Sequence, residues 1–197
     1  MPASAHEITR ADIIPDAEFA GQRKARRAAL LPVKQKRRVA LGPYCTFYFE
    51  SFDTMLFQIQ EMLLIEKGGE AQIADELAAY NPLVPNGHEL VATVMFEVDD
   101  EVRRTNLLNS LGGVEDHFQL RLGNDVIAGV QDSEQERTRE DGKTSSVHFL
   151  RFELTDEMAD ALKYGVALSI GIDHPHYQAR LDPVPAEIRT ALVKDLA

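Results

Sequence analysis

Side chains able to do chemistry gather in two short stretches, "FDTMLFQIQEMLLIEK" at residues 52 to 67 and "GIDHPHY" at residues 171 to 177. In the second, His174 and His176 stand two apart on extended chain, so both imidazoles can project to one side and offer neutral nitrogens to a metal. Two nitrogens do not complete a coordination sphere. Further ligands must come from elsewhere in the fold, and Glu61, Glu50 and Glu97 are the carboxylates available, with the Gln58 amide beside Glu61. A histidine and carboxylate set with open positions suits non-haem iron or manganese. The expected divalent-metal site is therefore His174, Glu61 and Gln58. The competing role for His174 is structural, a hydrogen bond to a backbone carbonyl at the corner that Pro175 closes, with Asp173 stabilising the same turn.

The first stretch reads as a helix capped by Ser51 or Asp53. At 100° per residue, Phe52, Met55, Leu56, Ile59, Met62 and Leu63 form one apolar stripe, with Glu66 near its end. Thr54, Gln58 and Glu61 form a second stripe framed by Phe57, Leu64 and Ile65, and large apolar neighbours imply that this polar stripe is partly covered. Other chemistries lack their residues. Gly68-Gly69 and Gly112-Gly113 have neither the preceding strand nor the lysine of a phosphate loop. Ser145, Ser146 and His148 share one strand, a spacing that builds no catalytic triad without a separate acid. Cys45, the single cysteine, excludes an internal disulfide and an iron–sulfur cluster held by this chain alone.

The elements that must position these residues follow from pattern. Thr9 followed by Asp12 is a capping start, and "PDAEFAGQRKARRAALL" continues as a helix. "RRVALGPYCTFYFES" is a hairpin about Gly42-Pro43, with Cys45, Phe47 and Phe49 on its apolar face. After the helix at 52 to 67 come a helix "EAQIADELAAY" ended by Asn81-Pro82 and a strand "HELVATVMFEV". Leu90, Ala92, Val94 and Phe96 of that strand point inward, and Glu89, Thr93 and Glu97 outward. A helix ended at Gly112-Gly113, a hairpin "HFQLRLG" to "VIAGV", a strand "SSVHFLRFEL", a helix "TDEMADALKYG", a strand pair "VALSIGIDH" and "YQARLD", and a terminal helix complete the chain. Hairpins outnumber strand-helix-strand units, so the fold is expected to be α+β, a mostly antiparallel sheet with helices packed on it. Residues 131 to 144 carry many charges and no large apolar side chain, and are expected to form a mobile loop.

Charge divides the 197-residue chain. Residues 1 to 43 hold nine Lys or Arg against four Asp or Glu, a net of +5, which leaves twelve against twenty-eight, a net of −16, in the rest. The organisation expected is a basic helical arm over residues 1 to 36 and one α+β domain over 37 to 197. The arm lacks interleaved aromatics and belongs to an acidic protein that phosphate repels, so it is expected to meet its own acidic body or an acidic protein partner, and not nucleic acid. No apolar run reaches the length of a membrane span and no signal peptide is legible at the start, so a cytoplasmic protein without membrane association is expected. A homo-oligomer is compatible with the sequence.

"RRVALGP", "FQIQEM", "YNPLVP", "ELVATVMFE" and "GIDHPHY", in this order over residues 37 to 177, resemble an uncharacterised bacterial family, a domain of unknown function. Its members are often encoded beside rubrerythrin-like proteins and an iron–sulfur oxidoreductase resembling the heterodisulfide reductase subunit. The resemblance implies a role near redox or oxidative-stress chemistry and assigns no catalytic residue. Two function classes follow, an accessory or adaptor that docks on a redox partner, or a small metal-dependent enzyme built on the Gln58, Glu61 and His174 neighbourhood.

Overall fold

Residues 6–131 and 142–197 are described by the computed structural model. Strand β1 (Arg38–Leu41) turns through Gly42 into β2 (Cys45–Phe49), and β2 pairs with β3 (Glu89–Phe96). Gly42 has φ +68°, and a Cβ there would lie 2.9 Å from the Tyr177 hydroxyl, so only glycine fits this turn. Beyond β3 lie β7 (Val147–Glu153) and the short β6 (Val130–Gln131), giving a five-stranded sheet in the order β1-β2-β3-β7-β6. A second sheet runs β5-β4-β8-β9, from β4 (Phe118–Leu122), β5 (Asp125–Ala128), β8 (Leu168–His174) and β9 (Tyr177–Leu181). Every pairing in both sheets is antiparallel.

The strands of the two sheets press their apolar faces together. Phe47 and Phe96 of the first sheet meet Phe118 of the second with ring centroids 5.8 and 6.4 Å apart, and Phe96 meets Tyr177 edge-on at 5.7 Å. Burying such a side chain contributes about 1.5–3 kcal/mol, so this layer dominates the stability of the body. The apolar run "VIAGV" was expected to form one strand. It instead divides at Gly129, with β5 in one sheet and β6 in the other. A Cβ at Gly129 would sit 3.0 Å from the Phe152 ring and 3.3 Å from Phe118 Cβ, so the chain changes sheets where a side chain would press on both phenylalanines.

Helices α1 (Asp16–Gln35), α2 (Phe52–Glu66) and α3 (Gly69–Tyr80) form a separate layer with its own apolar cluster, which includes Ile8, Ile13, Met55, Ile59, Leu63 and Ile73. Ser51 caps α2 by accepting from the Thr54 N–H. Glu66, placed at the end of the core stripe by its spacing, is exposed at the last turn. Helices α4 (Glu101–Ser110), α5 (Asp156–Lys163) and α6 (Ala186–Leu192) contribute Leu108, Leu162 and Leu192 to the main core. Of the expected mobile loop, Gln131 belongs to β6 and Thr144 is buried with its N–H on Leu108 O, while residues 132–141 lie outside those described. No described helix is long and apolar enough to cross a membrane.

Candidate functional site

The residues expected to form a metal site fall in two separate neighbourhoods. Glu61 lies under α1, its side chain 15% exposed, and accepts a two-pronged ion pair from Arg23 Nε and Nη2 at 2.7 and 2.6 Å. Hydrogen bonding from Arg23 holds its carboxyl below the usual glutamate range. The stripe is covered as its apolar frame implies, but its partner is an arginine. Gln58 is half-buried on the same helix.

His174 lies at the end of β8 in the other sheet. Its Nε2 bonds Gly112 O at 3.2 Å, and its Nδ1 accepts from the His176 N–H at 3.2 Å. Both ring nitrogens are therefore engaged, which defines a neutral imidazole with the proton on Nε2. Burial lowers its pKa from the ordinary value. Asp173 accepts from His117 Nδ1 at 3.0 Å, which links the end of β8 to the segment before β4. Among the described residues no group of three or more His, Cys, Asp or Glu is arranged to hold a metal ion. His174 and Glu61 each find other partners, Gly112 O and the His176 N–H for the imidazole and Arg23 for the carboxylate. Glu50 accepts from Thr93 and Thr54 hydroxyls at 2.8 and 2.7 Å, and Glu97 accepts from the Tyr48 hydroxyl.

What the fold does assemble is a polar junction on Arg37, just before β1. Its side chain is 5% exposed and holds Asp195 through two bonds of 2.7 Å, while donating to Glu50 O at 3.0 Å and Ala191 O at 2.8 Å. Burial pushes the Asp195 carboxyl up, and Arg37 opposes that push. This junction ties the end of α1 to the C-terminal turn across 158 residues of sequence. It also floors a cleft of about 930 Å³ between the end of α1, the start of α2 and the C-terminal segment. Sequence spacing carries no trace of a contact so distant, and Arg37 reads there only as one charge in a basic run.

Two amides perform a related clamping role. Gln60 accepts from the Ile14 N–H at 3.0 Å and donates to Ile14 O at 3.2 Å, and Asn81 does the same to Ile8 at 2.8 and 2.9 Å. Each imitates one rung of a β ladder and pins the segment before α1 to the helix layer. Gln60 stands three residues after Phe57 and three before Leu63, a position inside apolar surroundings that signals its burial.

Helix α1 supplies the other candidate surface. Of its 20 residues only Phe19 and Leu30 are buried. Lys24, Arg27, Leu31 and Lys34 are exposed and follow at spacings of three, four and three, which places them along one side of the helix. Lys24, Arg27 and Lys34 have no carboxylate within ion-pair reach among the described residues.

A search of curated proteins finds no match. Solved structures similar to this one include a novel protein of unknown function from Burkholderia pseudomallei, 39% identical, with a TM-score of 0.89, over 96% of this chain and 99% of that one. The family model described as "Protein of unknown function (DUF3501)" matches residues 7–196, so the chain belongs to that family.

Proposed function

We propose that the protein is an accessory or adaptor of a redox or oxidative-stress system, docking through the outer side of α1 on an acidic protein partner. The family resemblance supplies the kind of partner, a rubrerythrin-like protein or an iron–sulfur oxidoreductase. The observation that carries the docking reading is the exposed row of Lys24, Arg27 and Lys34, which makes no ion pair among the described residues although Arg27 acts on the Glu61 carboxyl, and which is set around Leu31, 57% exposed. A basic row on a protein of net charge −11 steers acidic surfaces to one place, while the acidic body repels them elsewhere. Sedimentation of the purified protein, alone and mixed with each purified partner, tests this. A heavier complex at low salt that dissociates as salt rises is the expected result. Self-association of the protein alone assigns the face to a second copy, and no complex with either partner at low salt rejects the reading.

A further inference from the structure

We infer that the cleft floored by Arg37 and Asp195 binds a small organic monoanion with an apolar body. Its volume of about 930 Å³ is within the range of small-molecule sites. Val33, Phe52, Val193 and Leu196 give it apolar walls. The Arg37 Nη1 and Nη2 groups are taken by Asp195 and two carbonyls, and its remaining Nε is buried, so Arg37 serves as scaffold beneath the cleft and the exposed ammonium groups beside it receive the anion. What it positions are its neighbours. Lys36 precedes Arg37 and Lys194 precedes Asp195, so one buried ion pair holds the backbones of two exposed lysines beside the same opening. Neither lysine has a carboxylate within ion-pair reach among the described residues, although acidic residues outnumber basic ones by 32 to 21 in this chain.

The remaining charges of the cleft limit the ligand. Asp12 is held by the Thr9 N–H and hydroxyl at 2.8 and 2.7 Å, and Lys163 is engaged by Asp160 and Ala197 O. Asp53 is exposed at the first turn of α2, and His6 is bonded to Pro85 O. Two available ammonium groups facing Asp12 and Asp53 suit a single negative head and disfavour a polyanion. The walls then take an alkyl or aryl body, whose removal from water favours binding.

Displacement of the fluorescent aryl sulfonate 1-anilinonaphthalene-8-sulfonate from the full chain tests this assignment, with octanoate and octylammonium as competitors of equal length and opposite charge. Octanoate is expected to displace the dye and octylammonium is not. Lys36→Glu/Lys194→Glu should weaken octanoate roughly tenfold or more, whereas Lys24→Glu/Arg27→Glu on α1 should leave it unchanged. Equal competition by both alkyl ions, or unchanged octanoate affinity in the cleft variant with its far-ultraviolet circular dichroism intact, overturns the assignment. Should the double glutamate variant fail to fold, Lys36→Gln/Lys194→Gln gives the same reading. Docking and ligand binding use different lysines, so loss of one leaves the other measurable.

Discussion

Removing either member of the Arg37–Asp195 pair should cost more than any single surface change in the protein. In Asp195→Ala the guanidinium keeps its bonds to Glu50 O and Ala191 O but loses the carboxylate that pairs it while 5% exposed. A buried charge left in that way costs about 3–5 kcal/mol, a large share of the roughly 5–15 kcal/mol that stabilises a typical domain. At this chain length the loss corresponds to a fall in Tm of roughly 6–20 °C. Arg37→Met leaves the opposite charge behind, and the two variants differ in their pH dependence. Without the arginine, burial is the leading influence on Asp195, with Asp53 adding to it and His6 opposing, and it raises the carboxyl above the unfolded value. A raised acid contributes stability that is present below its unfolded pKa and lost as pH rises through the folded one. The Arg37→Met deficit relative to wild type should therefore be smallest near pH 4 and grow toward pH 7, while the Asp195→Ala deficit shows no such growth. Urea unfolding of both variants across this range reads the effect. A loss below about 1 kcal/mol for Asp195→Ala, or an Arg37→Met deficit that shrinks toward neutral pH, refutes the assignment of Arg37 as the buried organiser of the cleft.

Other expectations follow from the same geometry. The Arg23–Glu61 pair, with Arg23 42% exposed, should contribute little, because solvent screens an ion pair at the surface. Because the Glu61 carboxyl is held low, that contribution should exist above the unfolded pKa and vanish as pH falls through the folded one, so wild type and Glu61→Gln should differ in Tm at neutral pH and converge as acid protonates the folded carboxyl. Glu89 is 2% exposed, and burial raises its carboxyl with Arg151 3.5 Å away opposing. Glu89→Gln should gain stability relative to wild type as pH rises from 4 to 7, and a gain that shrinks over that range would count against burial as the controlling cause. Gly129→Ala should lower stability by about 1–3 kcal/mol by forcing the Phe152 ring aside, which chemical denaturation reads directly. A neutral outcome there would mean the two sheets yield at the crossing.

The α+β class, the β1–β2 hairpin, the Ser51 cap and the alternation of β3 were legible because each depends on residues within one or two turns of one another. Leu90, Ala92, Val94 and Phe96 are all buried, as their spacing requires. Two features were misread for the same reason. Glu89 has the period of an outward residue, yet it is buried, because a second layer covers the face that alternation assigns to solvent. "VIAGV" has the composition of one strand, and only the rings of Phe152 and Phe118, distant in sequence, show why it breaks at Gly129. The metal expectation rested on residues whose partners lie far apart in sequence. Residue type and spacing showed that His174 and Glu61 are polar and placed near apolar neighbours, but not that Gly112 O and Arg23 are the groups waiting for them. Arg37 and Asp195, separated by 158 positions, form the junction that sequence reasoning did not see.

The docking claim is tested most directly by an equilibrium titration of the purified protein with whichever redox partner it sediments with, comparing wild type with Lys24→Glu/Arg27→Glu at low and physiological ionic strength. Saturable binding by wild type is predicted, weakened by salt and reduced about 10- to 100-fold by the charge reversal, with Lys36→Glu/Lys194→Glu binding as wild type does. Equal affinity of wild type and the α1 variant would contradict it.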